Sequence, residues 1–107
     1  MLTDIEVKQK FDVLVNKLQA GLYDEVIKDA SILLKKRQHQ VFFNILSLAH
    51  QNNGDFQKSA DIMEEALRMN SNNPYFLNNM GISQHKLENF SLAEKNFKRG
   101  LEIAPNY

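Results

Sequence analysis

The sequence predicts an all-α fold: an α-solenoid of three stacked antiparallel helix-turn-helix units, six helices in a single domain over residues 1–107. Three observations carry this expectation. A turn motif recurs at steps of 33 and 34 residues, the apolar residues between its copies keep helical spacing with no strand-like alternation, and the boundaries hold residues that start and stop helices.

The recurring motif is a turn followed by an aromatic: Gly21-Leu22-Tyr23, Gly54-Asp55-Phe56 and Glu88-Asn89-Phe90. From each aromatic the chain runs in step through Val26, Ser59 and Ala93, then Ala30, Met63 and Phe97, to the pairs Leu33-Leu34, Ala66-Leu67 and Gly100-Leu101. The units are expected at about residues 7–39, 40–73 and 74–107.

The first helix is predicted over 3–19, where Thr3-x-x-Glu6 is a capping box whose hydroxyl and carboxylate can satisfy two orphan amides. The second, 24–37, follows the Gly21 turn with Asp24 and Glu25 at its positive end. In the third, 40–52, Phe43, Ile45, Leu46, Leu48 and Ala49 make the apolar face; in the fourth, 56–70, it is Ile62, Met63, Ala66, Leu67 and Met69. The fifth, 74–87, opens at Asn73-Pro74, a side-chain acceptor before a proline whose missing N–H costs nothing at the first helical position. The sixth spans 90–103, ahead of Pro105.

Composition limits the function classes. Thirteen basic residues balance thirteen acidic ones, so no overall field draws the chain to nucleic acid or an anionic membrane. The absence of cysteine removes disulfides and thiolate ligands, and packing must supply stability. The N-terminal MLTDIEVKQKF has acids early and no continuous apolar run, so neither a signal peptide nor a membrane span is expected, and a cytoplasmic protein is. No phosphate-cradling glycine loop or nucleophile elbow is present. His39, His50 and His85 have no paired metal-ligand spacing, and the Asp24-Glu25 and Glu64-Glu65 pairs fall on a helix start and an outer face. The chain is therefore expected to be non-catalytic, with no cofactor and no metal.

The third unit reads Leu77-x-x-Met80-Gly81, Phe90, Ala93-x-x-x-Phe97, Gly100-Leu101 and Pro105, and the second reads Phe43-x-x-Leu46-Ser47, Gly54-Asp55-Phe56, Ser59, Met63 and Ala66. Both resemble tetratricopeptide (TPR) repeats. The first unit departs most, with Lys10, Val13 and Leu14 where a bulky apolar residue, Leu and Gly are usual, and Leu33 in place of a small residue. The small residues Ser47, Gly81, Ser59, Ala93, Ala66 and Gly100 let paired helices approach closely.

The resemblance implies a concave groove lined by the first helix of each pair, holding a peptide or helix of a protein partner. On it the groove residues would be Lys8, Phe11, Val15 and Leu18, then Asn44, Leu48 and Gln51, then Tyr75, Asn78, Ile82, His85 and Lys86. Asn44 and Asn78 occupy the same register, where an amide can both donate to and accept from an extended backbone. Family members that clamp the acidic tails of chaperones use Lys and Asn in the first unit and Lys and Arg in the third, whereas the corresponding face here offers Phe11, Val15, Tyr75 and Asn79, so a dicarboxylate clamp is not expected and a ligand with apolar side chains, or a neighbouring helix, is.

Two further features are legible. Asp61, Glu64 and Glu65 are acidic where the last helix has Lys95, Lys98 and Arg99, so stacking would set the stripes side by side in inter-repeat ion pairs, or the stripes pair between molecules. After Ala104-Pro105-Asn106-Tyr107 no polar capping helix is written, leaving a last-helix edge of Phe90, Phe97, Leu101 and Ile103. That leaves two alternatives open: a longer protein, such as the N-terminal arm of a glycosyltransferase or sulfotransferase, or self-assembly through this edge.

Overall fold

The computed structural model describes residues 1–106 and contains six α-helices: α1 (Asp4–Gln19), α2 (Tyr23–Lys36), α3 (Gln40–Asn52), α4 (Phe56–Met69), α5 (Pro74–Lys86) and α6 (Phe90–Ile103). Among the described residues there is no strand. Observed ends fall within a residue of the expected ones because the residues taken as terminal are caps. Thr3 is the N-cap of α1, its hydroxyl accepting from the Glu6 amide at 3.2 Å while the Glu6 carboxylate accepts from the Thr3 amide at 3.1 Å. That backbone bond holds the Glu6 carboxyl below its usual range. Arg37, Asn70 and Leu87 likewise cap the C-termini of α2, α4 and α5.

The turns inside the three pairs superimpose chemically. Gly21 and Gly54 take φ of 79° and 80°, and Glu88 fills the same left-handed position at 65°, a conformation that glycine adopts freely and other residues at a cost. Between pairs, Asn73 accepts from the Tyr75 and Phe76 amides at 2.9 and 3.2 Å and donates to Gln40 Oε1 at 3.0 Å, so one side chain caps α5 and ties it to the start of α3. Arg37 fastens the other end: its guanidinium donates to the Leu2 carbonyl at 3.0 Å and pairs with Asp4 at 2.7 Å.

Consecutive phenylalanines show how α3 serves two cores. Phe42 is fully buried with Leu14, Val26, Ala30 and Ile45 between α1, α2 and α3; Phe43 turns the other way, onto Met63, Ala66, Phe76 and Met80. The Phe43 and Phe76 rings meet edge to face at 6.3 Å. Each helical pair thus completes its core with the pair beside it, as a solenoid requires.

The small residues do more than allow close approach. Ser47, Ser59 and Ser83 are fully buried, with Ser47 Oγ 2.6 Å from Ser59 Oγ and Ser83 donating to Ser59 at 2.9 Å, so three hydroxyls join α3, α4 and α5. Ser59→Ala removes the shared member, leaving the Ser47 hydroxyl without its partner and Ser83 with only the bond from Gln51, and is expected to lower the unfolding free energy by about 1–3 kcal/mol in urea titrations. A neutral result would mean the hydroxyls contribute nothing there.

Leu14 stands in the register of Ser47 and Gly81. Leu14 is buried in the core that α1 and α2 share, and beside it an open cavity of about 330 Å³ lies between the two helices, lined by Lys10, Val13, Leu14, Asp29, Ile32, Leu33 and Lys36. Lys17 spans α1 to α2 by bonding Asp29 at 2.8 Å, a contact that raises its ammonium above the ordinary lysine range.

The expected ion pairs between the outer stripes do not form. Glu64 pairs with Arg68 and Lys98 with Glu94, each inside its own helix, at 3.6 and 2.9 Å; Asp61 accepts from Gln57, and Arg99 donates to Asn72. The reason is spacing: α4 packs on α3 and α5, α6 packs on α5, and the backbones of α4 and α6 nowhere come within 8 Å of each other.

Candidate functional site

Curvature follows from which helices meet. The backbones of α1 and α3, and of α3 and α5, approach within 8 Å, whereas those of α2, α4 and α6 stay farther than that from one another. The stack is therefore narrow along the odd-numbered helices and splayed along the even ones, and α1, α3 and α5 line its concave side.

On that side the residues expected in the groove divide by surroundings. Phe11, Val15 and Leu18 are partly buried, their inner edges packed on the first core. Leu48 and Ile82 are half-buried, while Tyr75 and His85 are exposed. Lys8 at one end pairs with Asp12 at 3.1 Å, and Lys86 at the other reaches over the Phe56 ring, 6.0 Å from its centre. The His85 ring meets Phe90 edge to face at 5.1 Å.

The two register-matched asparagines do not share one setting. Asn44 Oδ1 accepts from Asn79 Nδ2 at 3.2 Å, so its amide is engaged by the neighbouring pair. Asn78 has no following pair among the described residues and lines an open cavity of about 210 Å³ with Pro74, Phe97, Gly100 and Leu101. Gln51 is also partly structural, its amide donating to the Asn79 carbonyl and to Ser83 Oγ, both at 3.2 Å. These contacts leave open the other side of these amides and the half-buried faces of Leu48 and Ile82. Asn79 and Ser83 belong to this junction; their spacing from Asn44 and Gln51 was visible, but hydrogen bonding across helices is set by packing that spacing alone does not give.

The expected apolar edge is exposed over most of its length. Phe90, Leu101 and Ile103 are 56%, 51% and 40% accessible, and Phe97 is partly covered because it lies on Gly81.

The histidines have separate settings. His39 caps α3 by accepting from the Val41 amide at 3.2 Å, and burial pushes the His50 imidazole below its ordinary pKa, with Asp55 opposing. Among the described residues no three His, Cys, Asp or Glu side chains gather as metal ligands, and no helix is long and apolar enough to cross a membrane.

Tetratricopeptide repeat models match residues 40–73 and 74–107. The fold is similar to that of PcrH from Pseudomonas aeruginosa, with a TM-score of 0.90 at 20% identity over 100% of this chain and 82% of that one. It is also similar to the first TPR of Spaghetti (RPAP3) bound to the HSP90 peptide SRMEEVD, with a TM-score of 0.84 at 22% identity over 92% of this chain and 82% of that one. No curated protein matches the sequence.

Proposed function

The chain belongs to the tetratricopeptide repeat family, and we propose that it is a protein-interaction module whose concave face holds a segment of a partner through apolar side chains and amide hydrogen bonds. The observation that carries this reading is the chemistry of the concave side. Half-buried Phe11, Val15, Leu48 and Ile82 supply apolar area, and Asn44 and Gln51 keep amide lone pairs or protons beside it. A ligand that buries aliphatic side chains there is stabilised by roughly 25 cal/mol per Å² of apolar surface removed from water, before the cost of ordering it.

The RPAP3 domain holds a peptide with two glutamates and a terminal aspartate. This chain favours a different ligand: Phe11, Val15, Tyr75 and Asn79 offer no cation to such carboxylates, and the lysines of these helices named above, Lys8 and Lys86, stand at opposite ends of the face. An apolar extended segment or an amphipathic helix suits the face better.

Leu48→Lys puts a charge at the middle of the concave side. Affinity capture with this variant, its helical circular dichroism intact, is expected to lose the partner that the natural sequence retains. Undiminished capture would remove the concave face from the proposal.

A further inference from the structure

On the convex side the grooves between outer helices recur in register, but their charges do not. Between α2 and α4 an open cavity of about 240 Å³ has a floor of Leu34, Phe43 and Leu46, with Lys35 on one wall and Glu65 on the other. Between α4 and α6 an open cavity of about 300 Å³ has a floor of Leu67, Leu77 and Met80, with Arg68 on one wall and Arg99 on the other. Each of these residues lies 33 or 34 positions after its counterpart in the first groove. The first groove thus sets a cation across from an anion, and the second sets two guanidinium groups across from each other.

Two cations lining one cavity repel, and an anion placed between them is attracted by both. The chain has three arginines; Arg37 is held by the Leu2 carbonyl and Asp4, and the other two are these. Neither is tied down firmly. Arg68 meets Glu64 at 3.6 Å inside its own helix, with both side chains mostly exposed, and such a pairing contributes little. Arg99 donates to the neutral Asn72 amide oxygen at 2.9 Å, which leaves its charge uncompensated. Glu64 lines the same groove and offsets one of the two positive charges, so a net cation remains over an apolar floor.

The shape of the anion follows from the donors. A planar carboxylate has two oxygens, which a single guanidinium fork fills. A phosphomonoester has three terminal oxygens on a tetrahedral centre and about −1.5 to −2 charge at neutral pH, so it can accept from both walls together. Ser71 lines the cavity as well and brings a hydroxyl donor. The half-buried Leu67 gives an apolar neighbour of the phosphate a place to lie, which a free phosphate ion would not use.

We propose that the α4–α6 groove binds a phosphorylated side chain of a partner protein, its phosphate between Arg68 and Arg99 and an adjoining apolar side chain on Leu67. The groove lies on the other side of the stack from the concave face, and the two sites can fail independently. Asp61, a turn earlier on α4, lines neither groove.

The probe for the full chain is a fluorescently labelled seven-residue peptide with one phosphoserine between two leucines and no other charged side chain. Saturable binding is expected, and Arg68→Gln and Arg99→Gln should each weaken it about tenfold or more. Glu64→Gln should tighten it severalfold, because the carboxylate competing for Arg68 is gone. Lys35→Gln and Glu65→Gln make the same changes of charge in the first groove and should leave binding unchanged, as should Leu48→Lys on the concave side. All five charged positions are exposed, so thermal unfolding of these variants should stay close to that of the parent. The proposal is overturned by no binding at millimolar peptide, by equal binding of the serine or glutamate form of the peptide, or by a loss with Lys35→Gln as large as with Arg68→Gln. Inorganic phosphate binding as tightly as the peptide would also overturn it, since the groove would then hold a bare ion rather than a protein segment.

Discussion

Phe42→Ala is expected to lower the unfolding free energy by about 3–5 kcal/mol, the range for deleting a fully buried aromatic side chain. The ring has no exposed surface, touches the core formed by α1, α2 and α3, and meets His39 edge-on at 6.2 Å. Leu14, Val26, Ala30 and Leu33 share that core with the ring, and the open cavity beside them leaves few side chains able to fill the space it would vacate. Domains of this kind are stable by only about 5–15 kcal/mol, so the loss is a large share of the total. In an array of nearest-neighbour contacts it should show first as fraying of α1 and α2, seen as early hydrogen exchange there, with α5 and α6 protected longer. A cost below about 1 kcal/mol in denaturant titrations would contradict this account of how the first two pairs join.

Gly81→Val is expected to cost about 2–3 kcal/mol through overpacking. A Cβ on Gly81 would stand 2.5 Å from Phe97 Cε1 and 2.8 Å from Phe97 Cζ, closer than real atoms approach. The ring must leave its seat on α5, and the part of the α5–α6 contact that it makes is lost. Because the cost is routed through one side chain, a double-mutant cycle with Phe97→Ala should give a coupling above about 1 kcal/mol. Strict additivity would mean that Gly81 matters for another reason.

Much of this fold is legible in the sequence where the cause is local. Thr3 with Glu6 and Asn73 before Pro74 mark helix starts because capping involves neighbours in the chain, and both caps form. The recurring turn is legible because a left-handed residue has few substitutes, although Glu88 takes the place at φ 65° where the two earlier turns have glycine. What depends on the angle between helices is not legible. Asp61, Glu64 and Glu65 share a register with Lys95, Lys98 and Arg99, yet curvature separates α4 from α6 and each charge finds a neighbour nearer home. Asn44 and Asn78 share a register too, but one has Asn79 to bond and the other faces an exposed cavity. Ser47 and Ser59 read as small residues; that their hydroxyls bond each other and Ser83 follows only once three helices are in place.

Site residues divide in the same way. Register assigns Leu48, Ile82 and Gln51 to the first helix of each pair, but concavity itself comes from α1, α3 and α5 lying close while α2, α4 and α6 splay. Gln51 shows the limit, since half of what its amide can do is spent on Asn79 and Ser83.

The central claim, that the concave side is where a partner lies, is tested most directly by site-specific photo-crosslinking. A photoreactive phenylalanine analogue would replace Leu48 on the concave side or Asp61 on the outer side. The account predicts a covalent adduct with one partner protein from position 48 and none from position 61; an adduct from 61 with none from 48 would contradict it.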